Sequence, residues 1–156
     1  MTKLMLSRKC IIISILLAVI LCAGLGVFFS KDKTTPIDSY AKLVDFQTYF
    51  PQKLPDNLSF VDGSTRISGD VIFFNLKDGK SDIVISQQSR PQTLESFRVD
   101  GFDSVATNIG SMLVGKTEDR PAAVVTTENT LITINGYAGQ DIYVISSIGQ
   151  SLRRVP

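Results

Sequence analysis

The chain has 156 residues and a formal charge of +1, yet it contains no histidine and no tryptophan, and its two cysteines are Cys10 and Cys22. Three of its 16 basic residues precede an N-terminal apolar segment, which leaves 13 basic against 15 acidic residues in the remainder. This charge balance excludes a nucleic-acid-binding domain, which needs a basic surface. Beyond residue 30 the composition also excludes zinc sites with cysteine or histidine ligands, disulfides, and catalysis by cysteine or histidine.

The apolar segment near the N-terminus predicts a membrane anchor. Residues 10–29 carry no charge, and about 20 helical residues span the roughly 30 Å hydrocarbon core of a bilayer. We therefore expect a transmembrane helix at residues 10–30, with the lipid bilayer as its partner. The alternative is a cleaved signal peptide, for which Gly24-Leu25-Gly26 is the candidate cleavage site.

The charges that flank this segment predict its orientation. The segment is preceded by Lys3, Arg8 and Lys9. It is followed by Lys31 and Lys33, which lie close to acidic residues. Positive charge favours the cytoplasmic side of a membrane. We therefore predict a single-pass protein of the cell membrane, with residues 1–9 as a cytoplasmic head and the C-terminal domain on the extracytoplasmic side.

A polar stretch, residues 31–42, predicts a short stalk before a β-rich domain at residues 43–156. The domain begins with the sequence LVDFQTYFPQKL at residues 43–54, which contains Pro51 and is followed by Pro55. Because proline disfavours helix in the residue before it, we expect an edge strand or a polyproline-like arm here. Phe46, Tyr49 and Phe50 would be its packing groups.

The next part of the domain reads as a succession of short strands separated by turn residues, which is typical of an antiparallel sheet. Strands are predicted at residues 58–61, 66–68, 71–77, 82–88, 104–108, 111–116, 121–127 and 130–135. Asp78-Gly79 predicts a two-residue hairpin turn between the third and fourth of these strands, since type I′ turns favour Asp before Gly. Residues 93–97 predict a helical turn with Thr93 as its N-cap.

The closing segment, residues 140–153, carries two conflicting signals. Ile, Tyr and Val favour a strand by propensity, but Ile142, Ile145, Ile148 and Leu152 recur at helical spacing. Asp141 would place its carboxylate at the first helical turn. We predict a helix from residue 140 to residue 152, packed on the sheet, although Gly149 weakens it by about 1 kcal/mol relative to alanine. The fold class is therefore α+β, and a central strand in an all-β fold is the alternative.

Four short motifs resemble a known group of domains. They are FPQKLP at residues 50–55, ISQQ at residues 85–88, a G-x-x-x-x-G stretch at residues 110–115, and SL at residues 151–152. Their order resembles a group of uncharacterised membrane-anchored bacterial extracytoplasmic domains, which is more distantly similar to the LolA-like and RseB-like domains that bind lipid or sense the state of the envelope. The resemblance implies the same sheet with a closing helix, and it implies no catalytic residues.

The residues with the strongest claim to a ligand or partner site are Gln87, Gln88, Arg90, Tyr49 and Phe50. The amides of Gln87 and Gln88 could line a binding groove beside Arg90. The alternative is structural, because side-chain amides at a strand end commonly pair with neighbouring backbone groups.

Other polar residues have weaker claims to function. Asp100 and Asp103 could hold a calcium ion or act as an acid–base pair, but two acids in a loop are usually solvated. Ser81 beside Lys80 is compatible with a Ser-Lys hydrolase but also with an ordinary surface. The two arginines at residues 153–154 would cap the helix or bind anionic lipid. Asn57 begins a glycosylation sequon. We predict no catalytic residue, no metal site and no cofactor.

The sequence thus predicts a membrane-tethered, non-enzymatic extracytoplasmic domain that binds an envelope protein, a lipid or another ligand, and not nucleic acid. One alternative is a hydrolase that uses only carboxylates, such as a glycosidase, which requires two acids about 5–10 Å apart. The other is a passive structural component of the envelope.

Overall fold

The computed structural model describes residues 35–79, 81–92 and 101–156. Four predicted features lie outside these ranges: the head, the anchor at residues 10–30, the start of the stalk and the helical turn at residues 93–97. In the part that is described, no helix has the length and apolarity needed to span a membrane. The elements are α1 (Asp38–Ala41), β1 (Tyr49–Pro51), β2 (Ser59–Phe60), β3 (Arg66–Ser68), β4 (Val71–Lys77), β5 (Asp82–Ser89), β6 (Asp103–Thr107), β7 (Gly110–Thr117), β8 (Arg120–Thr126), β9 (Thr130–Asn135), α2 (Ile142–Ser151) and β10 (Leu152–Arg154).

The centre of the domain is an antiparallel sheet of eight strands in the order β2-β4-β5-β9-β8-β7-β6, with β3 beside β2 on the same edge of β4. Buried and half-buried residues alternate along β4 and β5, because successive side chains of a strand point to opposite faces. The inner face carries Ile72, Phe74, Leu76, Ile83 and Ile85, all fully buried. The predicted antiparallel sheet is therefore confirmed.

The β4–β5 hairpin pairs the strands predicted on each side of Asp78-Gly79, but its turn differs from the prediction. Ile72 lies opposite Gln87, and Lys77 lies opposite Asp82. The loop therefore contains four residues, 78–81, and is not a two-residue turn. Within this loop, the carboxylate of Asp78 accepts a hydrogen bond from the backbone N–H of Ser81 at 3.2 Å. Asp is common in such loops because its side chain can bond to nearby backbone groups.

The two-residue turn with left-handed backbone occurs instead between β7 and β8. Thr117 pairs with Arg120, and the two residues between them, Glu118 and Asp119, have φ values of 50° and 63°. Positive φ at both central positions is the mark of a type I′ turn. Neither residue is glycine, so this hairpin adopts the favoured geometry at a cost in backbone strain.

Helix α2 packs on the inner face of the sheet, mainly against β7 and β8, and confirms the predicted closing helix. Asp141 is its N-cap and accepts a hydrogen bond from the Tyr143 N–H at 2.9 Å. Ile145 and Ile148 are fully buried. A Cβ on Gly149 would stand 2.4 Å from the Sδ atom of Met112, so the glycine allows the helix to lie close to β7.

The N-terminal segment of the described chain belongs to the folded domain, which corrects part of the predicted stalk. Ile37, within the stalk predicted at residues 31–42, is fully buried in the core. The segment predicted as an edge strand or arm contains β1, which pairs with β10 at the end of the chain: Phe50 lies opposite Arg153. Strand β10 was not predicted. Leu152 recurs at helical spacing after Ile148, so the prediction assigned it to the helix, whereas it is the first residue of β10.

Strands β5 and β6 are joined by residues 90–102, of which the last two, Gly101 and Phe102, lie on the outer face of the sheet. Both strands run in the same direction, and β9, β8 and β7 lie between them. At the end of this connection, a Cβ on Gly115 would stand 2.5 Å from the ring of Phe102 and 2.9 Å from the Gly101 carbonyl oxygen. Gly101 and Phe102 therefore lie over β7 on the face opposite α2.

Candidate functional site

Two of the residues predicted to bind a ligand, Gln87 and Tyr49, bind each other. The Tyr49 N–H donates to Gln87 Oε1 at 2.8 Å, and Gln87 Nε2 donates to the Tyr49 carbonyl at 2.6 Å. Gln87 is fully buried and Tyr49 is 6% exposed. The side-chain amide thus stands where the backbone of a neighbouring strand would stand, and it attaches β1 to the sheet. This geometry matches the structural alternative for Gln87.

Phe50 is half-buried and packs against the hydrophobic core. Its ring centroid lies 5.9 Å from that of Phe60, in an edge-to-face arrangement, and 5.3 Å from that of Phe74. Such aromatic pairs add about 0.5–1.5 kcal/mol beyond the area they bury. Phe74 belongs to the hydrophobic core, and the half-buried rings of Phe50 and Phe60 pack against that core.

Gln88 lies on the opposite face of the sheet from Gln87. It is half-buried and lies opposite Val71 on one side and Leu131 on the other. On the same face, the hydroxyls of Ser86 and Thr133 hydrogen-bond at 2.6 Å. Gln88 therefore does not share a groove with Gln87.

Arg90 lines an open groove at the end of β5, which we name the strand-end groove. Its volume is about 560 Å³, and its lining consists of Asp45, Phe46, Gln47, Ser89, Arg90, Pro91, Gln92, Glu128 and Asn129. Arg90 is anchored to the β8–β9 turn: its N–H donates to the Asn129 carbonyl at 2.8 Å, and its Nη1 donates to the Thr127 carbonyl at 3.2 Å. Of the five predicted residues, Arg90 alone lies in this groove.

A second groove, which we name the helix groove, lies between α2 and the connection from β1 to β2. Its volume is about 670 Å³, and its lining consists of Gln52, Lys53, Leu54, Pro55, Asp56, Ser147, Gln150, Ser151 and Arg153. The two walls are joined by a hydrogen bond of 3.1 Å from the Gln52 N–H to the Ser151 carbonyl. Leu54 and Pro55 are half-buried, whereas Gln52, Lys53 and Gln150 are exposed.

The polar groups of the helix groove differ in whether they have hydrogen-bond partners within the domain. Arg153 Nη1 donates to the carbonyls of Gln150 at 3.2 Å and Leu152 at 2.7 Å, so this guanidinium caps the end of α2 as its position in the sequence suggests. Lys53, by contrast, makes no hydrogen bond or ion pair with any described residue. The Ser151 hydroxyl donates to the Ile148 carbonyl at 2.8 Å.

The remaining sequence candidates do not form a site in the described ranges. Asp103 is exposed at the start of β6, but its proposed partner Asp100 lies outside those ranges, as does Lys80, the partner of Ser81. Asn57 is exposed, as a sequon asparagine would be. Within residues 35–79, 81–92 and 101–156, no three His, Cys, Asp or Glu side chains are grouped in a way that could hold a metal ion.

The pKa of Tyr137 is shifted by a contact with the β4–β5 loop. The Tyr137 hydroxyl donates a hydrogen bond to the carboxylate of Asp78 in the β4–β5 loop. This hydrogen bond, together with desolvation and the negative charge of Asp78, raises the pKa of Tyr137 above its ordinary value. The contact ties the loop to the chain after β9 and lies outside both grooves.

Sequence reasoning did not identify the helix groove, because its walls are more than 90 residues apart in the chain and meet only through tertiary structure. The one feature of the sequence that could have indicated this groove is Lys53, a cationic residue that lies between Pro51 and Pro55. Comparison of the chain with protein-family models and with curated proteins found no match.

Proposed function

We propose that the chain is a membrane-tethered, non-enzymatic extracytoplasmic domain and that it binds an envelope partner in the helix groove. The observation that supports this most is the ammonium of Lys53, which pairs with none of the described residues and lies beside a half-buried apolar floor. Such a floor, with a few polar groups placed around it, is the usual composition of a binding site. The tether is the uncharged segment at residues 10–30.

The groups around the groove favour an extended peptide that carries a carboxylate. The amides of Gln52 and Gln150 can each donate to and accept from peptide backbone. Lys53 would pair with the carboxylate, and the second cation, Arg153, lies on the opposite wall. Asp56 at the rim would disfavour a ligand with several negative charges, because like charges in proximity repel.

The test is copurification of the full chain from membranes in a mild detergent. We expect a stoichiometric partner that is lost with Lys53→Glu, which reverses the charge in the groove. Lys116→Glu is the matched control, since Lys116 is also exposed and lies on β7. Absence of a partner would favour a passive structural component, and equal loss with both variants would contradict binding in the helix groove.

A hydrolase that uses only carboxylates is the second candidate, because Asp45 and Glu128 both line the strand-end groove. Both side chains are exposed, whereas the general acid of a glycosidase needs a protected environment that keeps it protonated. If Asp45→Asn and Glu128→Gln each abolished release of sugar from envelope glycans by the purified chain, the binding proposal would be replaced by this one.

A further inference from the structure

The two edges of the sheet are built differently. The edge formed by β2 and β3 is interrupted between Phe60 and Arg66, and its strands have two and three residues. The guanidinium of Arg66 also lies 5.4 Å from the centre of the Phe73 ring. Short, interrupted strands with charged residues are how proteins prevent unwanted pairing at sheet edges.

The opposite edge, β6, carries one charged residue, Asp103, but it is longer and is not interrupted. It has five residues without interruption, with the sequence DSVAT, and no proline, lysine or arginine. None of the residues that the structure describes pairs with its outward side. The chain also reaches β6 from over β7, because Gly101 and Phe102 lie against Gly115. The described residues before β6 therefore leave its outward side open.

The register of the β6–β7 hairpin shows which backbone groups are unpaired. Thr107 and Gly110 close a two-residue loop, and Val105 lies opposite Met112. In an antiparallel pair, positions that exchange hydrogen bonds alternate with positions that do not. The closing pair of a two-residue hairpin exchanges them, so Val105 bonds to β7, and the N–H and C=O groups of Ser104 and Ala106 point away from the sheet.

We propose that β6 pairs with β6 of a second copy of this chain, antiparallel and centred on Val105. In this register, Ser104 of each copy lies opposite Ala106 of the other, and these two pairs exchange four hydrogen bonds through the groups that face outward. Val105 lies opposite its own counterpart, and Asp103 lies opposite Thr107. The sheet then continues from one copy into the next, with α2 on the same side in both.

The side chains at this joint favour a second copy. Ser104 and Ala106 are small, and no like charges come face to face, because Asp103 meets a threonine. Pairing about a two-fold axis also closes after two copies, whereas head-to-tail pairing of β6 with the interrupted β2–β3 edge would give an open filament. Two five-residue strands bury less than the 1,200 Å² or so of a stable interface, so the pairing depends on the high local concentration of chains in one membrane.

The direct test is disulfide formation at the two-fold axis. Val105 is in a pair that does not exchange hydrogen bonds across the new joint, where Cα atoms are about 4.5 Å apart, within the range that a disulfide bridges. We expect Val105→Cys, in the full chain with Cys10→Ala and Cys22→Ala, to form disulfide-linked dimers in the membrane upon oxidation. Ser68→Cys on the interrupted edge is the control for random collision and should give several-fold less.

A second substitution separates pairing from folding. Ala106→Pro removes only an N–H that faces outward, and proline is tolerated at that position of an edge strand. It should abolish the Val105→Cys dimer while the thermal unfolding of the chain remains cooperative; Ala106→Lys, which leaves the backbone intact, should have the same effect. The proposal is overturned if Val105→Cys gives no more dimer than Ser68→Cys, or if Ala106→Lys leaves the dimer yield unchanged. Neither result depends on what binds in the helix groove.

Discussion

Replacing Gln87 by leucine tests whether its amide stabilises the fold. The change would remove both partners of Tyr49, leaving a buried N–H and a buried C=O without hydrogen bonds. Each unsatisfied buried group costs about 1–3 kcal/mol, so for the two groups we expect a loss of about 2–6 kcal/mol in the free energy of unfolding. Domains of this size are stable by about 5–15 kcal/mol in total, so the loss is a large fraction.

Urea unfolding of Gln87→Leu measures this loss. With a urea dependence of about 1–3 kcal/mol per molar for small domains, the midpoint should fall by at least about 0.7 M. Gln88→Leu is the matched control, since Gln88 is half-buried on the outer face, and its midpoint should change little. An unchanged midpoint for Gln87→Leu would refute the structural role and would return Gln87 to the list of ligand-binding candidates.

Three further predictions concern local features. Replacing Glu118 and Asp119 by Asn-Gly should raise the free energy of unfolding by about 1 kcal/mol, because glycine removes part of the left-handed strain; a lower urea midpoint would contradict the type I′ turn. Gly149→Ala should lower the thermal midpoint, because overpacking costs about 1–3 kcal/mol against a helix-propensity gain of about 1 kcal/mol, whereas Ser147→Ala on the exposed side should not. Because the pKa of Tyr137 is raised on folding, its stabilising contribution should be complete below the unfolded-state pKa of about 10 and should disappear as the pH rises through the folded-state pKa. The difference in stability between the wild type and Tyr137→Phe should therefore shrink as the pH is raised above 10, and a constant difference would exclude this linkage.

The parts of the fold that depend on local pattern could be predicted. The alternation in β4 and β5 identified the central hairpin, and the spacing of Ile142, Ile145 and Ile148 identified α2 against the strand propensity of the same residues. Burial of such a stripe contributes about 1.5–3 kcal/mol per large side chain, more than strand propensities that span about 1 kcal/mol. Periodicity therefore outweighed propensity in this helix.

The parts that depend on distant contacts could not be predicted. Ile37 is one apolar residue in a polar stretch. It is buried by contacts with core residues that are distant in the chain, which the local sequence does not show. The sequence left open whether the Gln87 amide lines a groove or pairs with backbone, because nothing in it shows that Tyr49, 38 residues earlier in the chain, supplies both of its partners. The two-residue turn was predicted in the wrong hairpin. Asp78-Gly79 has the composition that such a turn favours, but the register of β4 and β5 gives a loop of four residues, and the two-residue turn joins β7 and β8.

The central claim is that a partner occupies the helix groove, and site-specific photo-crosslinking in intact cells tests it most directly. A photoreactive residue at Gln150, which is exposed on the wall of the groove, should yield one discrete adduct that Lys53→Glu abolishes. The same residue at Asn135, exposed at the end of β9, should not yield that adduct. Identical adducts from both positions, or an adduct at Gln150 that persists in Lys53→Glu, would contradict the account.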